Sequence, residues 1–290
     1  MAEKKQVKRR SYWAEIWRLL VRNKGAMVGM AITFLLIFIA CTADIFFDYD
    51  TDVVGQTLKV QFTPPNSQYW FGTDHLGRDI FARVLYGTKY SLLIGIVATS
   101  ISAGIALVLG SISGYYGGRL ENLIMRICDV FGAIPSLLLG MLIVSVLGPD
   151  LINLTIALGI SGFPYLTRVI RASVLTVRNS EYVEAAKAIG MPEWKIIAKY
   201  IIPNCMSPII VAVTLRVGSN IISASSLSFL GLGAQPPMPE WGTMLSDGRN
   251  YVRHQPYITV FPGLAIMITV LSLNMFGDGL RDAMDPKLRR

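Results

Sequence analysis

The chain has 290 residues, of which 52% are hydrophobic and only 16% charged, with a formal net charge of +8. Soluble domains carry about 25% charged residues, and disordered chains are poor in apolar residues, so both classes are excluded. Three cysteines, and 26 glycines without a strict repeat, exclude disulfide scaffolds and collagen; a mean hydropathy of +0.48 leaves an integral membrane protein.

The first segment, 1–24, carries Lys4, Lys5, Lys8, Arg9, Arg10, Arg18, Arg22 and Lys24 against Glu3 and Glu15. Within it Trp13, Ile16, Trp17 and Leu20 share one helical face, which predicts a short interfacial helix. A crossing needs about 20 apolar residues, and Gly25 to Ala43 is uncharged up to Asp44. That run is too long for the apolar region of a cleaved leader. Further apolar stretches at Tyr90–Ser113, Leu123–Leu147, Leu151–Leu166, Cys205–Leu227 and Tyr257–Phe276 predict about six crossings in all. The fourth is interrupted by Gly162 and Pro164, and Pro135 is expected to bend the third. The small-residue pairs Gly110/Gly114 and Ser100/Gly104 allow close helix contact. The predicted organisation is an all-α membrane protein: a transmembrane domain at 25–277, outer loops at 48–89 and 228–256, an inner loop at 178–203, and a tail at 278–290.

Basic residues accumulate on cytoplasmic segments. The N-terminal segment, the stretch with Arg168, Arg171, Arg178, Lys187, Lys195 and Lys199, and the tail with Arg281, Lys287, Arg289 and Arg290 therefore all fall inside. The segment from Phe47 to Thr88 holds Asp48, Asp50, Asp52, Asp74 and Asp79 against Lys59, Arg78 and Arg83, and falls outside. The positive balance thus reports orientation in a bilayer, not nucleic-acid binding.

Two loop segments are rich in structure. The outer Phe71–Gly87 segment has three glycines and alternating acid and base, which predicts ion pairs of Asp74 or Asp79 with Arg78 or Arg83. His75 beside Asp74 is not a catalytic pair, since no nucleophile accompanies them. On the inner side, Glu184 to Ile189 is good helix-forming sequence, Gly190 stops it, and Pro192 cannot continue it. A second helix from Glu193 to Ile202 leads to Pro203. Small Ala185 and Ala186 would admit a partner closely, and about 35 residues is long for a mere connection. Cys41, Cys128 and Cys205 read as inert buried thiols, and His75 and His254, far apart in outer loops, show no metal-ligand spacing. There is no glycine-rich phosphate loop; Gly87-Thr-Lys lacks the preceding glycine. No catalytic residue, metal ligand or cofactor is expected in this chain.

Glu184-Ala185-Ala186, three residues, Gly190, and Pro203 thirteen positions on resemble the EAA loop of type I ABC-importer permeases. Ile201-Ile202 departs from the leucine that usually precedes that proline. Gly72-Thr-Asp…Gly77-Arg-Asp, the run Leu227–Leu245 and the run Gly277–Arg289 narrow the resemblance to the C-type permeases of the dipeptide/oligopeptide/nickel branch. It extends from about Tyr12 to Arg290. The resemblance implies a type I importer fold in a bacterial-type cell membrane, with both termini cytoplasmic. It implies a homologous second permease, two cytoplasmic ATPases that bind ATP and magnesium, and an extracytoplasmic binding protein. Peptides are the implied substrate, with nickel or another small solute as the alternative; an ion-gradient-driven carrier is the rival of a different class. Relatives often carry an acid where this chain has Ala224, so no role of that acid transfers.

Charges inside a membrane are functional candidates. Arg126 and Asp129, three residues apart, are expected to pair on one helix face as a structural or gating pair. Arg216 lies halfway along the fifth crossing with no acid in that span. It must face the bundle interior, water or a partner's carboxylate, and either tethers helix-end carbonyls or lines a cavity that meets a peptide carboxylate. Asn220, Ser223, Ser225 and Ser226 follow on the same span; Asn220, Ser223 and Ser226 are the candidates for a translocation path, with interhelical hydrogen bonding the alternative.

Overall fold

The computed structural model describes residues 12–285 as helices and loops, with one isolated antiparallel bridge between Thr73 and Asp79. The basic residues at 4–10 and 287–290 and the side chain of Trp13 lie outside the described residues. Helix α1 (Tyr12–Arg22) buries Ile16 and Leu20 against Val211, Ala283 and Met284. Trp17 points away from that contact, so the expected four-residue apolar face is divided. Asn23 ends α1 and starts α2 (Lys24–Phe46), its side chain accepting a hydrogen bond from the Ala26 amide at 3.1 Å. Phe34, Leu35 and Phe38 remain exposed on α2 and form an outward apolar face suited to lipid.

Helix α3 (Ile80–Tyr116) has 37 residues and is about 55 Å long. A hydrocarbon core is about 30 Å thick, so the first turns of α3 rise above it, and the helix claims the last ten residues assigned to the outer loop. Gly117 and Gly118, both at positive φ, turn the chain into α4 (Gly118–Gly132). Next come α5 (Ser136–Leu147), bent 84° from α4 at the break before Pro135, and α6 (Leu151–Val177). The bend is where proline was expected to act. Pro164, by contrast, does not interrupt α6, which runs through it unbroken.

After α6 come α7 (Glu181–Ala188), α8 (Glu193–Ile196), a π-helical turn at Ile197–Ile201, α9 (Ile202–Asn204) and α10 (Met206–Phe229). Helices α11 (Trp241–Gly248) and α12 (Tyr257–Met284) are the last among the described residues. Among the described residues, four helices are long and apolar enough to span a membrane alone: α2, α3, α10 and α12. The bent α4–α5 pair makes a fifth, so the expected six are not all apolar spans. Helix α6 differs because it is enclosed by protein: Leu154, Ala157, Leu166, Thr167 and Ile170 are all buried. A helix facing its neighbours tolerates Ser, Thr and Arg that a lipid-facing one would not.

Helices α3 and α6 run parallel in close contact. A Cβ at Gly159 would lie 2.7 Å from Ile101, one at Gly110 2.8 Å from Ile170, and one at Gly114 2.7 Å from Val174 and 3.0 Å from the Arg171 carbonyl oxygen. The Gly110/Gly114 pair therefore works as expected, whereas Gly104 has nothing within 4 Å and Ser100/Gly104 is no contact here. Gly114→Ala should cost about 1–3 kcal/mol of stability through overpacking. Gly104→Ala should be neutral or stabilising by up to about 1 kcal/mol, from helix propensity alone. Thermal unfolding of the purified chain in detergent measures both.

Candidate functional site

The inner loop is built on a buried face and an open face. Helix α7 stops at Gly190, where φ is +71°. The Gly190 amide donates to the Lys187 carbonyl at 3.0 Å and the Met191 amide to the Ala186 carbonyl at 3.1 Å. This is the glycine-dependent helix end in which two terminal carbonyls are satisfied by a left-handed residue. Past Pro192, the π-helical turn has its cause in Pro203, which has no amide hydrogen for the Lys199 carbonyl; the Ile202 amide donates instead to Ile197. The second helix expected from Glu193 to Ile202 is thus one helical run with a bulge.

Val183, Ala186, Ile196 and Ile201 are buried against Tyr115, Leu166, Ile170, Val174 and Ile209, which fixes the loop to α3, α6 and α10. Lys187 adds a cation–π contact 5.2 Å from the Tyr115 ring. On the other side Glu184, Ala185, Gly190 and Pro203 are exposed, together with Ile189 at 76% and Trp194 at 66% exposure. Ala186 therefore does not face outward as expected: the helical turn that exposes Ala185 directs its neighbour inward. Ile189 and Trp194 are surface features that a search for small residues overlooks, since apolar side chains next to Glu184 read as core.

The intramembrane charges pair differently from expectation. Asp129 of α4 meets Arg168 of α6 at 2.9 Å, and Arg126 is exposed with no ion pair among the described residues. Arg168 also donates to the Cys128 carbonyl at 3.3 Å and lies against Gly132. It thereby places a cation at the broken C-terminal end of α4, where the helix dipole favours one. Arg171 pairs with Glu121, and Arg178 donates to the Gly114 carbonyl at 3.1 Å. Basic residues assigned to an inner loop thus fasten α6 to α3 and α4.

Helix α10 sorts the path candidates. Asn220 is 1% exposed and donates to the Thr99 hydroxyl at 2.9 Å, so it belongs to the α3–α10 contact. Ser223 and Ser226 stay on the open face, their hydroxyls donating back to Ser219 and Ile222 carbonyls. Ser219 and Arg216 extend that line along α10. Arg216 lies across Gly162 of α6, where a Cβ would be 3.0 Å from Nη2 and 3.3 Å from Nε. It tethers no helix-end carbonyl among the described residues, and its buried Nε has no hydrogen-bond partner. Ala224 is buried in an apolar cluster with Ile94, Ala98, Val144 and Leu154.

At the opposite end, residues 47–79 and α11 form a folded cap. Arg78 is 2% exposed and binds Asp74 at 2.6 Å and Asp247 at 3.3 Å. Asp79 caps α3 through the Phe81 amide, and Arg83 donates to the Val53 carbonyl at 3.0 Å and that of Pro237 at 3.3 Å, so neither makes the ion pair open to it in the sequence. Burial pushes the Asp79 carboxyl above its usual range, outweighing the amide hydrogen bonds that pull it down. Phe71 stacks on Phe261 at 3.9 Å, joining the cap to α12.

A family model described as "Binding-protein-dependent transport system inner membrane component" matches residues 106–290, and one described as "N-terminal TM domain of oligopeptide transport permease C" matches residues 11–65. The chain is 45% identical over 279 residues to the dipeptide transport system permease protein DppC of Alkalihalophilus pseudofirmus, covering 96% of this chain and 91% of that one. It is 42% identical over 280 residues to the glutathione transport system permease protein GsiD of Pectobacterium atrosepticum, covering 97% and 93%. Among solved structures, an inward-facing conformation of the MetNI methionine ABC transporter shares the fold, with a TM-score of 0.58 at 17% identity. That match covers 70% of this chain and 97% of the solved one.

Asp74→Ala should destabilise the cap by about 3–5 kcal/mol, because it strips a buried guanidinium of its nearer carboxylate. Lys89→Ala removes an exposed pair with Asp44 at the outer end of α2 and should cost less than about 1 kcal/mol. Thermal unfolding of the two variants side by side checks the contrast.

Proposed function

Because the chain belongs to the binding-protein-dependent transport system inner membrane components, we propose that it is the permease subunit of a peptide importer, forming half of the translocation path. It is a multi-pass membrane protein of a family that works with ATPase and substrate-binding partners. In the proposed assembly it pairs with a homologous permease and two cytoplasmic ATP-binding subunits, which carry ATP, magnesium and hydrolysis. A binding protein delivers peptide to the outer cap. The chain lies in a bacterial-type cell membrane with both termini cytoplasmic. Dipeptide and glutathione permeases among the relatives support a peptide substrate, and Arg216, unpaired among the described residues, disfavours a bare divalent cation such as nickel.

The observation that carries this reading is the two-faced inner loop. One face is packed into the core formed by α3, α6 and α10, and the other presents Glu184, Ala185, Ile189 and Trp194. A partner seated on the open face can move the helices through the buried one. Nucleotide-driven closure of the ATPases then favours one access state of the path over the other, by population shift.

Ile189→Glu leaves the buried face intact and should lower peptide uptake in proteoliposomes at least about tenfold, the effect of losing about 1.4 kcal/mol of coupling. Membrane insertion should be retained. Gly190→Pro should do the same, since it removes both the left-handed residue and its amide donor. Normal coupled uptake in both variants would reject the docking assignment.

A further inference from the structure

Arg216, unlike the exposed Arg126, carries a buried intramembrane nitrogen that has no partner among the described residues. A guanidinium in the hydrocarbon region is costly and ordinarily pairs with a carboxylate or with backbone carbonyls. The neighbouring arginines do so: Arg168 is held by Asp129 and Arg171 by Glu121. Arg216 makes no hydrogen bond or ion pair among the described residues, and its Nε is buried without an acceptor. From α6, the group within electrostatic reach is Tyr165, a hydroxyl rather than a carboxylate. A Cβ at Gly162 would meet the Ser102 hydroxyl of α3 first and then the guanidinium, 3.0 Å from Nη2 and 3.3 Å from Nε, so this glycine makes room for both.

Its position along the bundle gives the unmet donor a purpose. Pro208, Ala212 and Leu215 of α10 line a crevice of about 660 Å³ that opens at the inner end between α6, α10 and α12. Ile222, Ser226 and Phe229 line a recess of about 430 Å³ toward the outer end. Those six residues, with Ser219 between them, recur every three or four positions and so fall on one face of α10. Arg216 sits at the edge of that face, where the inner crevice ends and the outer recess has not begun.

We propose that Arg216 is a carboxylate-docking site halfway along the translocation path, which receives the C-terminal carboxylate of the passing peptide. This rests on the peptide-import reading above. The planar guanidinium matches a carboxylate in a two-pronged contact. The contact satisfies the buried nitrogen only while substrate occupies the path, and Gly162 keeps the slot open.

The test uses the complete transporter, with partner permease, ATPases and binding protein, in proteoliposomes. Initial uptake of labelled trialanine is compared with that of its C-terminal amide, each supplied at the same measured occupancy of the binding protein. Wild type should favour the free carboxylate about tenfold, the worth of a charge-assisted contact. Arg216→Gln should slow trialanine toward the amide's rate while leaving the amide within about twofold. Equal slowing of both peptides by Arg216→Gln, or loss of co-purification with the partner permease, would make Arg216 a structural tether and overturn the assignment. Wild-type uptake without any carboxylate preference would overturn the docking site alone. Failure of wild type to import either peptide would overturn the peptide reading and the docking site together.

Discussion

Helices α3 and α6 lie side by side because Gly110, Gly114 and Gly159 bring no side chain to the contact. In a bilayer, apolar side chains gain little by leaving lipid, so close packing has to supply the association that the hydrophobic effect supplies in water. Ser102 illustrates the gain: its hydroxyl reaches the Gly159 carbonyl across the interface at 2.7 Å. The two parallel helices form the frame on which the other elements are hung. Helix α4 returns along it, α10 packs against it through Gly95, and the inner loop grows directly from the end of α6.

That frame links the ends of the molecule. Val174 and Ile170, which face glycines of α3, belong to the same apolar cluster as Val183 and Ile196 of the inner loop. Force applied to the loop therefore reaches α6 through packed side chains rather than through a flexible connection. Gly162, two turns before Ile170 on α6, lies against Arg216. A shift of α6 relative to α10 would change the slot that holds the guanidinium, so one helix joins the proposed docking surface to the proposed midpoint of the path.

Much of this was legible in the sequence because membranes impose strong rules. Apolar runs located α2, α3, α10 and α12, and the Gly190–Pro192 punctuation located the end of α7. Apolar length was a weaker guide where protein replaces lipid around a helix, as at α6, and a proline inside such a helix was not a break. Local spacing misassigned Asp129, whose partner Arg168 is 39 residues away, because an i,i+3 relation on an exposed helix competes poorly with a cation at the helix end. The same limit applied to Asn220 and Ala186: periodicity says which residues share a face, but only packing says which face is open. Gly162 looked like an interruption because nothing local connects it to Arg216.

The central claim is that the inner loop and α6 move as one body. Spin labels at Lys199→Cys of the inner loop and Tyr165→Cys, both exposed and outside the proposed partner-contact residues, would measure it by pulsed electron resonance, with and without ATP, in a reconstituted transporter where Cys41, exposed rather than buried as expected, is changed to Ser. Rigid coupling requires that their separation stay constant within about 2 Å, while a label pair spanning α6 and the partner permease changes by more. A loop-to-α6 distance that shifts by several ångströms with nucleotide, while α6 stays fixed against the partner, would contradict it.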